Sequence, residues 1–552
     1  MRILILCHSF NSLTQRLFVE LTECGHEVSV EFDIHDRVTA EAVTLFGPDL
    51  ILAPFLKRAI PESIWRSLPC LILHPGIPGD RGPSALDWAI LNSEVAWGVT
   101  VLQATAEMDA GPIWATAQFA MRKAAKSSLY RFEVTEAAVS AVLESIAYFP
   151  DYCSRHWQPT AQTDWPELHG QSRPALRGQE ARIDWTLDDT ATVLAKIRSA
   201  DGAPGRIDTL FGEQVRVYNA KPYPALGAPG ALLGMAAQGL VRATHDGAIW
   251  IGHARRGKNP IKRPLAQLFP ECLSLSLLDA SPVDPIHYEE HGPVGMLHFD
   301  VYNGALDTES CIRLREAWLM ACQRPTRILI LMGGHDFFCN GLDLNAIEAA
   351  ESPADTSWAN INAMDDLCET LMQTTDRLTL AALHGNAGAG GTFLALACDA
   401  IWARKGVILN PHYKNMGNLY GSEFWTYRLP RRMGNTRLLD RRLPLGSTEA
   451  LRLGFIDREL SPADFDAQII AQACHWADSP GFATQLSQKQ LQRATDEADK
   501  PLASYRTEEL KQMQRNFYGF DASYHVARAH FVNKTAHAWT PRHLARHREP
   551  GF

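Results

Sequence analysis

The sequence lacks the patterns that mark membrane proteins, nucleic-acid binders and secreted disulfide proteins. Its 11 cysteines form no Cys-x-x-Cys pair, which argues against a zinc ribbon, a thioredoxin-type site and a disulfide framework. No apolar run approaches the length of a membrane span, and no cleavage site follows the N-terminal MRILILCHSF. The formal net charge of −9 provides no basic field for nucleic acid or an anionic membrane. We therefore expect a cytoplasmic protein that acts on small molecules.

The chain of 552 residues is too long for one hydrophobic core and indicates several domains. Near the N-terminus, continuous apolar runs alternate with amphipathic helical patterns, which is typical of a doubly wound parallel sheet. Further on, Asp188 and Asp189 precede an apolar helical face, and alternating runs such as 213–219 predict a small, mainly β domain. An α/β pattern with a charged helical tail follows. We predict a multidomain α/β chain divided into residues 1–160, 174–272 and 280–552.

A histidine stands where an α/β sheet usually binds its ligand. The stretch CLILHPGIPGDRG (70–82) is a buried strand that breaks at His74 into a turn, and a histidine there is a candidate general base. A second strand pattern ends near Asp109 in a Gly-Pro turn, and an aspartate can orient a histidine and stabilise its protonated form. The alternative is a structural histidine whose ring N–H donates a hydrogen bond to a backbone carbonyl. His74 and Asp109 are predicted to be half of a proton-handling site.

At these residues the sequence resembles the formyltransferases that use 10-formyltetrahydrofolate. Their Asn-x-His motif, Val-Thr strand and Leu-Asp-x-Gly motif correspond here to Ile72 with His74, to GVTV and to MDAG with Asp109. The segment ARIDW (181–185), predicted to be helical, resembles the start of the C-terminal domain of the tRNA formyltransferases. The resemblance implies a folate pocket against residues 54–58 and 106–111. The folate-binding residues that it implies are Ser9, Phe55, Arg58, Ile72 and Gly111.

Ile72 departs from the family pattern. It replaces the asparagine whose amide donates to the formyl oxygen, and an apolar side chain cannot donate. Losing one such donor typically costs about 100-fold or more in rate. Formylation of an amine is therefore disfavoured, and a domain that only binds folate is the alternative.

Two glycine-rich stretches in the second half resemble the crotonase (enoyl-CoA hydratase/isomerase) superfamily. They are FCNGLDL (338–344) and AGAGGTFLALACD (387–399); alone, such glycines could simply permit close packing. The resemblance implies coenzyme A, with the oxyanion-hole amides at Asn340 and Gly390 and with Gly391 as a cofactor contact. Such amides stabilise a developing oxyanion on a thioester.

The two glutamates of the hydratases are missing, because their positions fall at Phe393 and Tyr413. Phenylalanine cannot activate water, so hydration of an enoyl-CoA is disfavoured. Tyr413 and Glu423 could exchange a proton with a bound acyl group; the alternative is an ordinary core tyrosine and a solvated glutamate. Near the terminus, His543 and His547 have helical spacing without a third ligand, so we predict a solvated basic tail and no metal site.

The fusion of both halves resembles the HypX/HoxX family of hydrogenase maturation proteins. This resemblance implies an enzyme that transfers the formyl group of 10-formyltetrahydrofolate and then, by a lyase-type decarbonylation, releases the carbon monoxide that nickel-iron hydrogenase carries. Our hypothesis is that the thiol of coenzyme A accepts the formyl group, that the Asn340 and Gly390 amides hold the resulting formyl-CoA, and that other maturation proteins are partners. Two alternatives stay open: a formyltetrahydrofolate hydrolase or amine formyltransferase, and a non-catalytic scaffold that binds folate and coenzyme A.

Overall fold

The computed structural model describes residues 1–166 and 168–549, which form two compact units. One unit contains residues 1–283 and the segment that begins at Ala536, and the other contains Asp284–Thr535. The three predicted domain boundaries stay predictions, and residues 550–552 of the predicted third domain lie outside the described residues. In the part of the chain that is described, no helix is long and apolar enough to cross a bilayer.

The N-terminal sheet has the strand order β2-β1-β3-β4-β5-β6. Its strands are β1 (Arg2–Cys7), β2 (Glu27–Phe32), β3 (Leu50–Phe55), β4 (Cys70–His74), β5 (Ala96–Gln103) and β6 (Ile113–Ala120). Its helices are α1 (Ser12–Glu23), α2 (Asp36–Phe46), α3 (Glu62–Trp65), α4 (Ala85–Leu91), α5 (Lys126–Arg131) and α6 (Glu133–Cys153).

The first four strands are parallel, which confirms the predicted fold class at this end of the chain. Their apolar runs are buried because helices cover the sheet; every residue of β1 after Arg2 is buried. The last two strands are antiparallel. The connection 104–112 between β5 and β6 contains no crossover helix, so the two strands pair as a hairpin.

A mainly β region follows in the same unit, as predicted. Its sheet has the order β7-β8-β11-β10-β9, with β12 paired to β11. Its elements are α7 (Thr190–Arg198), β7 (Arg206–Leu210), β8 (Glu213–Tyr223), β9 (Leu232–Ala236), β10 (Gly239–Ala243), β11 (Ala248–Arg256), β12 (Arg263–Pro264) and α8 (Leu265–Leu268).

The helix start predicted at the paired aspartates is confirmed, because the Asp189 side chain accepts the Thr192 N–H at 2.7 Å. The helix predicted at 181–185 is wrong. Asp184 accepts hydrogen bonds from both the backbone N–H and the hydroxyl of Thr186. This local turn competes with helix formation, so α7 begins only at Thr190.

The second unit contains two sheets with covering helices and a helical C-terminal part, as predicted for a crotonase-like domain. The sheet orders are β13-β14-β15-β17-β19-β22 and β16-β18-β20-β21. The strands are β13 (Ile286–His291), β14 (Val294–Phe299), β15 (Ile328–Gly333), β16 (Phe337–Cys339), β17 (Leu378–Leu383), β18 (Asn386–Gly388), β19 (Ala400–Arg404), β20 (Ile408–Asn410), β21 (Leu445–Gly446) and β22 (Arg458–Leu460). The helices are α9 (Thr308–Ala321), α10 (Leu344–Glu348), α11 (Pro353–Gln373), α12 (Gly390–Leu396), α13 (Trp425–Met433), α14 (Ser447–Arg452), α15 (Phe465–Ala477), α16 (Phe482–Asp499), α17 (Leu502–Tyr518) and α18 (Ser523–Val532).

The C-terminal segment packs on the edge strand β2 of the first unit. The N–H of Val30 donates a hydrogen bond to the carbonyl of Leu544 at 3.0 Å. The buried His547 ring lies 3.0 Å from the Glu31 carboxylate. Burial alone would raise the pKa of Glu31, but hydrogen bonds from His547, Thr540 and Arg548 lower it. The prediction of a solvated tail is therefore wrong at His547, because a buried carboxylate on β2 requires a partner there.

We expect the His547→Ala substitution to destabilise the first unit by about 3 kcal/mol or more, because it leaves a buried carboxylate short of a partner. Urea unfolding of the full chain measures this effect. The control is Arg542→Ala, which alters an exposed residue of the same segment. Equal unfolding midpoints for the two variants would contradict this role of His547.

Candidate active sites

His74 lies between two carboxylates at the end of β4. Its Nε2 is 3.0 Å from Asp80 Oδ1, and its Nδ1 is 3.7 Å from Asp109 Oδ1. The ring is 5% exposed and Asp80 is 2% exposed, so the pair is shielded from bulk water. The structure thus brings the two predicted residues together and adds Asp80, which is within the same turn as His74. A histidine held in this way can accept and return a proton.

Backbone contacts fix Asp109 in place. Its Oδ2 accepts the N–H of Gly82 at 3.1 Å, and its carbonyl accepts the Gln162 side-chain amide at 2.8 Å. Gly111 is needed in this turn because a methyl group on its Cα would lie 1.8 Å from the Gln103 carbonyl oxygen. The turn that carries Asp109 is therefore tightly determined by its own sequence.

The other predicted folate contacts lie at the carboxyl ends of β1 and β3. The N–H of His8, beside Ser9, donates to the carbonyl of Phe55 at 2.7 Å. Asp33 accepts the backbone N–H of Arg58 at 3.3 Å. Because β1, β3 and β4 are neighbours in one parallel sheet, Ser9, Phe55 and His74 share one edge.

Ile72 lies on β4, two residues before His74. Its side chain is half-buried and packs against the apolar cluster that contains Ile51 and Ala53. The position therefore offers apolar surface, and its side chain has no hydrogen-bond donor.

In the second unit, the two glycine-rich stretches each run from a strand through a turn to a helix. Gly391 packs so closely on the end of β16 that a methyl group on its Cα would lie 2.0 Å from the Cys339 carbonyl oxygen. Gly390 is the first residue of α12, and no described residue accepts a hydrogen bond from its N–H. This amide is available to a ligand oxygen.

The backbone N–H of Asn340, unlike that of Gly390, already has a hydrogen-bond acceptor within the protein. It donates to the Gly304 carbonyl at 2.6 Å, and the side-chain amide of Asn340 donates to the Asn303 carbonyl at 2.8 Å. The turn at Asn303–Gly304 thus occupies the backbone N–H and one of the two side-chain N–H bonds of Asn340. Of the two backbone amides implied by the resemblance, that of Gly390 is the one with no acceptor among the described residues.

Tyr413 and Glu423 form a buried pair beside Gly390. The Tyr413 hydroxyl donates to Glu423 Oε2 at 2.6 Å, and the Ser422 N–H donates to the same oxygen at 3.0 Å. The other oxygen, Oε1, faces Gly390, where a methyl group on the glycine Cα would lie only 2.1 Å away. Phe393 stacks on the Tyr413 ring at 5.0 Å. One oxygen of Glu423 is thus anchored, and the other points to the candidate oxyanion site.

Burial changes the proton affinity of this pair. Desolvation, followed by the charge of Asp365, raises the pKa of Glu423 to about 8. Burial and the charge of Glu423 raise the pKa of Tyr413 well above its usual value. The phenol therefore keeps its proton near neutral pH, and ionised Glu423 is a stronger base than an exposed glutamate.

Stability of the second unit is expected to fall as the pH rises from about 5 to about 8. A raised folded-state pKa means that the folded state binds the Glu423 proton more tightly than the unfolded state does. The stabilisation from this proton is complete below the unfolded-state pKa and is lost as the pH rises through about 8. Each proton that the folded state binds and the unfolded state does not changes the free energy of unfolding by about 1.4 kcal/mol per pH unit. Urea unfolding of the full chain and of Glu423→Gln across this range measures it. A difference in stability that does not change with pH would contradict a protonated Glu423.

At the two candidate sites, sequence reasoning missed three buried carboxylates: Asp80, Asp365 and Glu509. Asp80 lies in the motif that the sequence singles out, six positions after His74. Asp365 and Glu509 come from helices α11 and α17 and are both 0% exposed. No group of three or more side chains suited to a metal ion occurs among the described residues.

Comparison with known proteins agrees with this arrangement. Protein-family models match residues 26–146 ("Formyl transferase"), 175–264 ("Formyl transferase, C-terminal domain") and 303–542 ("Enoyl-CoA hydratase/isomerase"). The methionyl-tRNA formyltransferase of Myxococcus xanthus is 26% identical over 214 residues, which is 38% of this chain and 66% of that protein.

Two relatives match over the whole length. The hydrogenase maturation factor HoxX of Bradyrhizobium diazoefficiens is 53% identical over 559 residues, covering 99% of this chain and 97% of that protein. The crystal structure of HypX from Aquifex aeolicus in complex with tetrahydrofolic acid is 45% identical with a TM-score of 0.95, covering 100% of this chain and 99% of that one. Two formyltransferase-like regions are followed by a crotonase-like region, as the family models show. The chain belongs to the HypX/HoxX family of hydrogenase maturation factors.

Proposed function

We propose that the protein transfers the formyl group of 10-formyltetrahydrofolate to the thiol of coenzyme A and releases carbon monoxide from the resulting formyl-CoA. The first step is assigned to the unit that contains His74, and the second to the unit that contains Glu423. The complex of the Aquifex relative with tetrahydrofolic acid supports folate as a ligand. The enoyl-CoA hydratase/isomerase match supports a coenzyme A thioester.

In the first step, the thiol sulfur attacks the formyl carbon and the bond from that carbon to N10 of the folate breaks. His74 accepts the thiol proton and returns it to N10, so no net proton is consumed. Asp80 and Asp109 hold the ring and stabilise its protonated form. A thiolate is a stronger nucleophile than a neutral amine, which explains how the reaction proceeds without the amide that Ile72 replaces.

In the second step, Glu423 Oε1 removes the formyl proton while the bond between carbon and sulfur breaks. Carbon monoxide leaves, and Glu423 returns the proton to the thiolate, which regenerates coenzyme A. Gly390 donates its N–H to the carbonyl oxygen, and Tyr413 holds the second oxygen of Glu423. Formyl-CoA has no α-carbon, so it cannot form the enolate that is usual in crotonase chemistry.

The observation that carries the proposal is that one carboxylate oxygen, Glu423 Oε1, faces Gly390. Hydration of an enoyl-CoA needs carboxylates that position and activate water. Here Phe393 and Tyr413 occupy both of the corresponding positions, and their rings stack on each other. The site therefore presents one basic oxygen to a ligand at Gly390, which suits removal of a proton better than addition of water.

The carbon monoxide would supply the ligand of the hydrogenase iron, consistent with membership of a hydrogenase maturation family. Other maturation proteins are the proposed recipients. Covalent linkage of the two activities raises the effective concentration of the intermediate at the second site.

The test is a sealed reaction of the full chain with 10-formyltetrahydrofolate that carries a labelled formyl carbon, with and without coenzyme A. Deoxyhaemoglobin captures the gas. We expect labelled carbon monoxide that depends on coenzyme A. Labelled formate as the only product would instead favour a hydrolase, and unchanged substrate with tight binding of both ligands would favour a scaffold.

A further inference from the structure

Two carboxylates that the proposed chemistry does not use lie directly behind Glu423. Asp365 projects from α11 and Glu509 from α17, and both side chains are fully buried. Three carboxyl groups from different parts of the chain thus share one apolar interior. Such an arrangement is unfavourable unless hydrogen bonds or protons compensate for the buried charge.

Each acid accepts a hydrogen bond from a residue with strained backbone. Glu423 and Phe424 have φ angles of 60° and 59°, in the left-handed region that side chains disfavour. The N–H of Glu423 donates to Asp365 Oδ1 at 2.8 Å, and the N–H of Phe424 donates to Glu509 Oε2 at 2.9 Å. The two acids therefore hold the reversal that turns the Glu423 side chain toward Gly390.

Ser422 connects the two acids. Its hydroxyl oxygen lies 2.8 Å from Asp365 Oδ2 and 3.2 Å from Glu509 Oε2. A hydroxyl has one hydrogen and can donate to only one of these oxygens. The second contact becomes a hydrogen bond only when one of the acids carries a proton, so the geometry fits one proton shared across Asp365, Ser422 and Glu509.

Among the described residues, no cation forms an ion pair with Asp365 or Glu509, although Thr426 donates its N–H and its hydroxyl to Glu509 Oε1. Arg506 on α17 attracts Asp365, but it forms its ion pairs with Asp366 and Glu369, at 2.7 and 3.1 Å. Burial raises the pKa of the thiols of Cys311, Cys339 and Cys368, so they stay uncharged. Apart from the Tyr413 phenol, Glu423 therefore faces mainly groups that are neutral or negatively charged.

We infer that Asp365 and Glu509 are positioning residues that fix the backbone of Glu423 and, through their charge and shared proton, make Glu423 a strong base. This inference rests on the proposed role of Glu423 in the second step. In agreement with the geometry, burial and the neighbouring charges raise the pKa of Asp365 to about 7 and that of Glu509 to about 8.

The test is a pH titration of the substrate-free full chain by infrared difference spectroscopy, with the Glu423 carboxyl band identified by its loss in Glu423→Gln. In Asp365→Asn and Glu509→Gln, we expect the Glu423 midpoint to fall by about one pH unit, because a like charge has been removed. The matched controls are Asp355→Asn and Glu508→Gln, which change exposed acids on the same two helices. An unchanged midpoint in both cluster variants would overturn the inference.

The coupling between the acids is reciprocal, which provides a test that does not require the cluster variants to fold. In Glu423→Gln, the remaining carboxyl bands of Asp365 and Glu509 must titrate at lower pH than in the unaltered protein. If their midpoints stay where they are, the acids do not act on Glu423.

The pH profile of carbon monoxide release separates this inference from the proposed function. In Asp365→Asn, the rise of the rate with pH should move to lower pH by the same shift as the infrared midpoint, and the maximal rate should fall. A purely structural role would lower the rate without moving the profile and would contradict the inference. If Glu423→Gln releases carbon monoxide normally, the proposed function fails, whereas the infrared result still decides the coupling.

Discussion

Replacing Glu423 with glutamine is expected to lower carbon monoxide release from formyl-CoA by about 10²- to 10⁴-fold, the usual contribution of a general base. The substitution keeps the hydrogen bond from Tyr413 possible but removes the basic oxygen that faces Gly390. Formyl transfer from folate should be unchanged, so formyl-CoA should accumulate. Chromatography of quenched reactions measures both products.

The Tyr413→Phe substitution should act on the same step, because it removes the donor that fixes Glu423 Oε2. Tyr420→Phe is the matched control, since this tyrosine lies in the same loop and is 37% exposed. Equal carbon monoxide release by the Tyr413 and Tyr420 variants would contradict the proposed role of the Tyr413 hydroxyl.

Replacing His74 with glutamine is expected to lower formyl transfer to coenzyme A by about 10²- to 10⁴-fold. The buried ring lies between Asp80 and Asp109, and a glutamine there cannot accept the thiol proton. Consumption of 10-formyltetrahydrofolate and formation of formyl-CoA measure the loss.

The two steps can be separated in the same variant. His74→Gln supplied with formyl-CoA should release carbon monoxide at the rate of the unaltered protein, because the second unit is intact. His156→Gln, at an exposed position of the first unit, is the control. Normal carbon monoxide production from the folate substrate by His74→Gln would contradict the assignment of the first step.

The strand ends of the first unit could be predicted from the sequence, because continuous apolar runs determine parallel strands and parallel strands end at one edge. His74 and Asp109 followed from their place at such ends. Asp80 did not, although it is in the same motif, because a carboxylate in a Pro-Gly turn usually faces solvent. Only the path of the turn shows that it is buried against His74.

The site of the second unit could be predicted only in part. Tyr413 and Glu423 are ten positions apart, and their contact depends on a reversal in which Glu423 and Phe424 adopt positive φ angles. No residue preference predicts that conformation for these two side chains. It exists because Asp365 and Glu509, which are distant in sequence, accept the two N–H groups.

Asp365 and Asp366 illustrate the limit of a sequence pattern. They are adjacent on α11 and chemically identical, yet Asp365 is fully buried and the Asp366 side chain is 45% exposed. Asp365 bonds to Ser422 and Glu423 in the interior, whereas Asp366 pairs with Arg506 of α17 nearer the surface, a difference that composition and periodicity do not reveal. The same applies to His547, whose partner Glu31 is 516 positions away.

The most direct test of the two-step relay is a single-turnover experiment with labelled 10-formyltetrahydrofolate and coenzyme A. Reactions are quenched at successive times, and labelled formyl-CoA and carbon monoxide are measured together. The proposed relay predicts that formyl-CoA rises before carbon monoxide, decays as the gas appears, and persists in Glu423→Gln. Carbon monoxide that forms without coenzyme A, or that appears ahead of any formyl-CoA, would contradict the relay.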